Sequence, residues 1–138
     1  MRLKIYQITL LIVSILWFCP AFAEDEESEE DIIYETAYYP ISPDIVTNVK
    51  GKAKYIRTKI QIMTDRADML WEIEEHDPLY RHVLLMILAD KKGEDIKSPA
   101  GKESLRKEFL KALSDALDEK ASKKGLIKDL FFTTYYVK

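Results

Sequence analysis

The sequence predicts an α+β domain in which a small, largely antiparallel sheet carries helices packed on one face. Three observations carry this. Ile56, Thr58, Ile60 and Ile62 alternate with Tyr55, Arg57, Lys59, Gln61 and Met63, a period of two that gives a strand one buried and one wet face. Leu105, Phe109, Ala112, Leu113, Ala116 and Leu117 recur at spacings of three and four, the stripe of an amphipathic helix. The run Leu126 to Val137 is dense in Leu, Phe, Thr and Tyr, which favours a closing strand paired inside the sheet. Strands at both ends with helices between them point to α+β layers.

In chain order, Arg2 and Lys4 precede an apolar run from Ile8 to Phe18 that closes on Ala21-Phe22-Ala23. A charged start, an apolar middle and a small-x-small site read as a secretory signal peptide over residues 1–23, with Ala21 and Ala23 flanking the cleavage position. The alternative is a short retained anchor, because 18 residues counted generously from Ile5 to Phe22 reach the lower bound of roughly 17 for a spanning helix. Cys19 follows the bulky Phe18, which argues against lipidation. Cleavage leaves a chain of 115 residues without cysteine, enough for one hydrophobic core and without thiol chemistry.

Residues 24–37 read as an acidic spacer leading into the first strand. Seven of the eight residues from Glu24 to Asp31 are acidic, and from Ile32 to Lys138 there are 17 acidic and 19 basic residues. Such a near-neutral domain lacks the basic footprint of a nucleic-acid binder. Ile33 to Tyr39 suits a short edge strand stopped by Pro40, and Ile41 to Val49 continues extended, with Pro43 again arguing for an edge. Lys50-Gly51-Lys52 is a turn.

After the alternating strand, Thr64 or Asp65 caps a helix whose stripe is Leu70, Ile73 and Asp77, with Glu72, Glu74 and Glu75 facing water. It breaks at His76-Asp77-Pro78, where Asp77 caps a second helix and Pro78 is its first residue. Val83-Leu84-Leu85-Met86-Ile87-Leu88 is apolar all round, so the domain itself or a partner must cover it. Lys91-Lys92-Gly93 ends that helix and a polar loop reaches Ser98-Pro99, the cap and first residue of a helix from Pro99 to about Glu119. Lys123-Lys124-Gly125 closes it.

Catalytic patterns are not formed. His76 lies beside Glu74, Glu75 and Asp77, but residues one and two apart on a helix do not face each other, and His82 is off its face. The serines lie in no Gly-x-Ser-x-Gly turn, the glycines form no phosphate loop, and abundant carboxylates are not a positioned pair. No catalytic residue, metal ligand or cofactor is expected. A small-ligand pocket between helices and sheet stays open as an alternative. The excess apolar and aromatic character of Leu84, Leu85, Met86 and Leu88, and of Tyr38 and Tyr39, marks these residues as candidate partner or self-association surface, since tyrosine is favoured at interfaces.

Several segments occur in a familiar order: Tyr38-Tyr39-Pro40; Gly51-x-Ala53-x-Tyr55-Ile56-Arg57; Glu75-His76-x-Pro78-Leu79-x-Arg81 ahead of Leu84-Leu85; Ser98-Pro99-x-Gly101-Lys102-Glu103-x-Leu105-Arg106; and Leu130 to Val137. From Tyr38 to the C-terminus the chain resembles the FliL family of flagellar basal-body-associated proteins. The resemblance implies that residues 38–138 form a periplasmic domain similar to the stomatin (SPFH-type) core, near the inner membrane. It implies a non-enzymatic role beside the flagellar motor, with stator or basal-body proteins as partners and self-association into a homo-oligomer or ring. The apolar run at residues 5–22 is shorter than the family's usual membrane helix. A diverged soluble paralogue serving another envelope complex is the alternative.

Overall fold

The computed structural model describes residues 34–138. The signal segment, its Ala21–Ala23 site, the acidic run and the expected strand start at Ile33 lie outside the described residues.

The central strand forms as its alternation dictates. Strands β1 (Ala37–Asn48), β2 (Tyr55–Thr64) and β3 (Asp129–Val137) make an antiparallel sheet in the order β1-β2-β3. On β2, Ile56, Thr58, Ile60, Ile62 and Thr64 are buried, whereas Arg57 and Lys59 are exposed. The two buried threonines are satisfied locally: Thr58 Oγ1 donates to the Thr134 carbonyl at 2.9 Å, and Thr64 Oγ1 accepts from the Arg66 N–H at 3.0 Å.

The two extended pieces expected around Pro40 form one strand. An edge strand is bonded on one side only, so proline is tolerated there. Its irregularity is concentrated at Ser42–Asp44, where the register passes from Ile41 opposite Ile60 to Ile45 opposite Thr58. Arg81 reaches across to hold the Pro43 carbonyl at 2.7 Å. Gly51 turns β1 into β2 with φ of 90°, and a side chain there would strike the Glu94 carboxylate, which accepts the Lys52 N–H.

Between β2 and β3 run a 3-10 turn (Ala67–Met69) and four helices: α1 (Leu70–Glu75), α2 (Asp77–Asp90), α3 (Gly93–Lys97) and α4 (Pro99–Asp118). The expected cap at Thr64 or Asp65 does not form. Arg66 precedes the 3-10 turn without a side-chain cap, and Thr64 stabilises the turn before it. The break at His76 occurs as predicted, with Pro78 in the first turn of α2, but Asp77 is the first helical residue rather than the cap. Its carboxylate instead accepts from the Tyr39 hydroxyl at 3.0 Å.

The loop expected after Gly93 is the short helix α3, and Gly93 begins it instead of ending α2. A Cβ at Gly93 would sit 2.2 Å from that of Ala53. Backbone bonds from Lys50 to Lys91 and from Gly93 to Lys50, at 2.8 and 2.9 Å, stitch this corner to the end of β1. Ser98 caps α4 by accepting the Gly101 N–H at 3.0 Å, with Pro99 in the first turn. Gly125, with φ of 71°, lies past the end of α4 and donates to Asp118 at 2.8 Å. Leu126 and Ile127 are buried but precede the strand.

One core lies between the sheet and the helices. Ile41 and Ile45 of β1, Ile56, Ile60 and Ile62 of β2, and Leu130 and Val137 of β3 meet Ile73, Tyr80, Leu84, Leu88, Leu105, Phe109, Leu113 and Leu117. Glu72 corrects the expectation that it faces water. It is buried, and its carboxylate accepts both the N–H and the hydroxyl of Ser122, the latter at 2.9 Å. A buried carboxylate is tolerable when hydrogen-bonded in this way, and it ties α1 to the loop after α4.

Candidate interaction surface

The residues of β2 that turn away from the helices define a second sheet face, uncovered among the described residues. Register places Tyr38, Val46 and Asn48 of β1, Tyr55, Arg57, Lys59, Gln61 and Met63 of β2, and Phe131, Thr134 and Tyr136 of β3 on it. Tyr38, Val46, Phe131 and Tyr136 are all exposed. They are not scattered: the rings of Tyr38 and Phe131 lie 6.5 Å apart across β2, and those of Tyr55 and Tyr136 lie 6.1 Å apart. Aromatic pairs at 4.5 to 7 Å attract each other, so the face is ordered while remaining wet. Between the pairs, Asp44 holds Arg57 at 2.7 Å and Lys59 at 3.6 Å. The Arg57 guanidinium keeps the Asp44 carboxyl below its usual range.

The residues singled out from sequence divide between surfaces. Tyr38 lies on the uncovered face, whereas Tyr39, one residue on, turns toward the helices. Burial and the bond to Asp77 push its hydroxyl up to about 12. Leu84 and Leu88 are fully buried against the sheet and leave only Leu85 and Met86 outward. The run is therefore not apolar-covered all round: residues four apart share one face of a helix, and the intervening pair is in solvent, Met86 at 60% exposure. Since α2 packs on the covered side, Leu85 and Met86 lie across the sheet from Tyr38 and do not form one site with it.

Sequence reasoning missed Val46, Trp71 and Phe131, all exposed. The signal was present for Phe131 and Val46, because both fall on the Arg57-Lys59 side once register is known. Trp71 could have been found as an apolar residue off the Leu70–Ile73 stripe.

The ionisable groups serve structure. His76 Nδ1 lies 2.7 Å from the Glu72 carbonyl, and the described residues contain no group of three or more His, Cys, Asp or Glu able to hold a metal ion. Arg106 bonds both Glu103 and Asp129, which raises its already high pKa and clamps α4 to the start of β3. A cleft of about 450 Å³ lined by Lys97, Tyr135, Tyr136, Val137 and Lys138 lies beside β3. No helix among the described residues is long and apolar enough to cross a membrane.

Residues 38–137, all three strands and all four helices, match the family model of the flagellar basal body-associated protein FliL. The chain belongs to the FliL family. Among its relatives, the flagellar protein FliL of Aquifex aeolicus is 25% identical over 101 residues, which are 72% of this chain and 60% of that protein. The flagellar protein FliL of Bacillus subtilis is 26% identical over 113 residues, 82% of this chain and 76% of that protein. The chain thus spans less than two thirds of the Aquifex relative. Both relatives carry the name of a flagellar protein and neither that of an enzyme. The FliL match begins at Tyr38 and ends at Val137, so it takes in the whole uncovered sheet face.

Proposed function

We propose that this protein is an exported, periplasmic FliL-type component that supports the flagellar motor's stator through protein-protein contacts, without catalysis. The observation that carries the reading is the FliL match over residues 38–137. It is supported by a uncovered sheet face bearing paired aromatics in place of a catalytic constellation, since such rings are the favoured anchors of protein interfaces. Residues 1–23 supply export and inner-membrane proximity, by cleavage after Ala23 or by retention as an anchor. The acidic run then serves as tail or tether. The stator or a basal-body protein meets Tyr38 on the sheet face or Leu85 and Met86 on α2, and copies of the chain associate with one another. A three-stranded antiparallel sheet with helices on one face is compatible with a stomatin-type core.

Deletion of the gene should reduce swimming in soft agar, most under viscous load, and the intact gene should restore it. Unchanged motility under load discards the stator role. N-terminal sequencing of the protein from fractionated cells reads the export step: a start at Glu24 in the soluble periplasmic fraction establishes cleavage.

A further inference from the structure

The cleft beside β3 stands apart from the residues assigned a motor contact. It has a volume of about 450 Å³ and is lined by Lys97, Tyr135, Tyr136, Val137 and Lys138. That volume falls within the range of small-molecule sites, about 300 to 1,000 Å³. Its walls are fixed by bonds to the rest of the fold. Lys97 ends α3, and the carbonyl of Ile96, one residue earlier, accepts the Tyr135 hydroxyl at 2.6 Å, which sets the separation of α3 from β3. The Tyr136 ring lies 6.1 Å from that of Tyr55 on β2 and is half exposed. Lys138 is tied to the start of β2, its main-chain oxygen accepting the Lys54 and Tyr55 N–H groups at 2.5 and 3.0 Å.

The charge of this cleft is one-sided. Lys102, near the start of α4, holds its ammonium 5.1 Å from the centre of the Tyr135 ring and 5.8 Å from that of Phe132. Among the described residues Lys97, Lys102 and Lys138 form no ion pair, although Lys50, Lys59, Lys91, Lys111 and Lys128 each do. The nearby carboxylates are engaged elsewhere. Asp95 lines a separate cavity of about 160 Å³ with Lys91 and Glu108. Glu94 accepts the Lys52 N–H, and Glu103 is held by Arg106 at 2.8 Å. No side-chain carboxylate lines the cleft. Ammonium groups gathered in this way repel one another, and an anion between them converts that repulsion into attraction.

We propose that the cleft binds a small aromatic anion, a ring bearing a phosphate or carboxylate group. The anionic head meets the ammonium groups of Lys97 and Lys138, each able to donate three hydrogen bonds. The ring lies against Tyr136 and Val137, at the offset or edge-on separations that aromatic pairs prefer. Lys102, already seated over Tyr135, adds its charge from the side of α4. The site goes beyond the motor-support reading and does not depend on it.

Titration calorimetry of the full chain with phenyl phosphate, inorganic phosphate and phenol separates the two parts of the site. Phenyl phosphate should bind with a dissociation constant on the order of 0.1 mM, and inorganic phosphate and phenol each roughly tenfold more weakly or worse. Lys97→Glu with Lys138→Glu should weaken phenyl phosphate by roughly tenfold and leave phenol unchanged. Tyr136→Ala should bring phenyl phosphate down to the affinity of inorganic phosphate. Lys120→Glu with Lys123→Glu, beyond the far end of α4 and about 27 Å from Lys102 along the helix, should change nothing. Circular dichroism identifies any variant that fails to fold, and the three-ligand comparison on the unaltered chain decides without a variant. Failure of phenyl phosphate to bind, equal affinity for inorganic phosphate or phenol, or an equal loss from the distant lysine pair overturns the proposal. Swimming does not enter the readout, so a failed motor role and a failed ligand site are told apart.

Discussion

Neighbouring residues on β2 live in different media. Ile60 is sealed against the helices, while Lys59, next to it, keeps more than half of its side chain in water and shares the Asp44 carboxylate with Arg57. The covered face holds the stabilising burial, at about 25 cal/mol per Å² of apolar surface. The uncovered face holds paired aromatics whose removal leaves the core intact. The division assigns stability to one side of the sheet and frees the other for contact.

Truncation on the covered side should break the fold first. Ile60→Ala, or Leu113→Ala on α4, is expected to cost about 4 kcal/mol, read as a fall in the urea midpoint without change of slope. Both residues are essentially inaccessible. Glu72→Ala should cost about 2 kcal/mol by leaving the Ser122 N–H without its charged partner, and amide exchange should quicken around Ser122. A loss confined to the sheet would contradict the tie between α1 and the loop after α4.

Tyr80 sharpens the contrast in the opposite direction. Its ring is buried and its hydroxyl has no hydrogen-bond partner among the described residues, so Tyr80→Phe should gain about 1 kcal/mol in the same denaturation experiment. On the uncovered face, Tyr38→Ala and Phe131→Ala should each cost only about 0.5 kcal/mol, the scale of a cross-strand pair, while weakening swimming if this face meets the motor. A large stability loss there would erase the distinction between the faces.

A last contrast is set by pH. Burial and the Asp77 bond raise Tyr39 to about 12, and burial raises Tyr135, which donates to the Ile96 carbonyl at 2.6 Å, to about 12. A phenol raised on folding contributes stability that is present in full below its unfolded value of about 10 and is lost as pH rises through the folded value. Urea midpoints should therefore be level below pH ~10 and fall toward pH ~12. Tyr39→Phe should flatten part of that fall.

Much of this architecture was legible because periodicity is local. The alternation of β2, the four-residue stripe of α4, the Ser98-Pro99 start and the break before Pro78 each depend on a few neighbouring side chains. What failed depended on partners distant in sequence. Glu72 looked like a solvated helix residue until Ser122 arrived beneath it; Asp77 looked like a cap until Tyr39 claimed its carboxylate. Gly93 looked like a terminator, yet its lack of a side chain serves a close approach to Ala53. Leu84 and Leu88 could not be told from Leu85 and Met86 while the run was apolar throughout, because only packing against the sheet chooses which side of a helix is covered.

The sequence by itself determined the central and closing strands, the break before Pro78, the long helix α4, the near-neutral charge and the FliL relationship, since these reside in composition and short-range spacing. Tertiary structure alone decided that Tyr38 joins Phe131 across β2 and that Tyr38 and Met86 lie on opposite sides of the sheet. Strand register and layer order are fixed by long-range pairing, and a one-residue change of register exchanges the covered and uncovered faces.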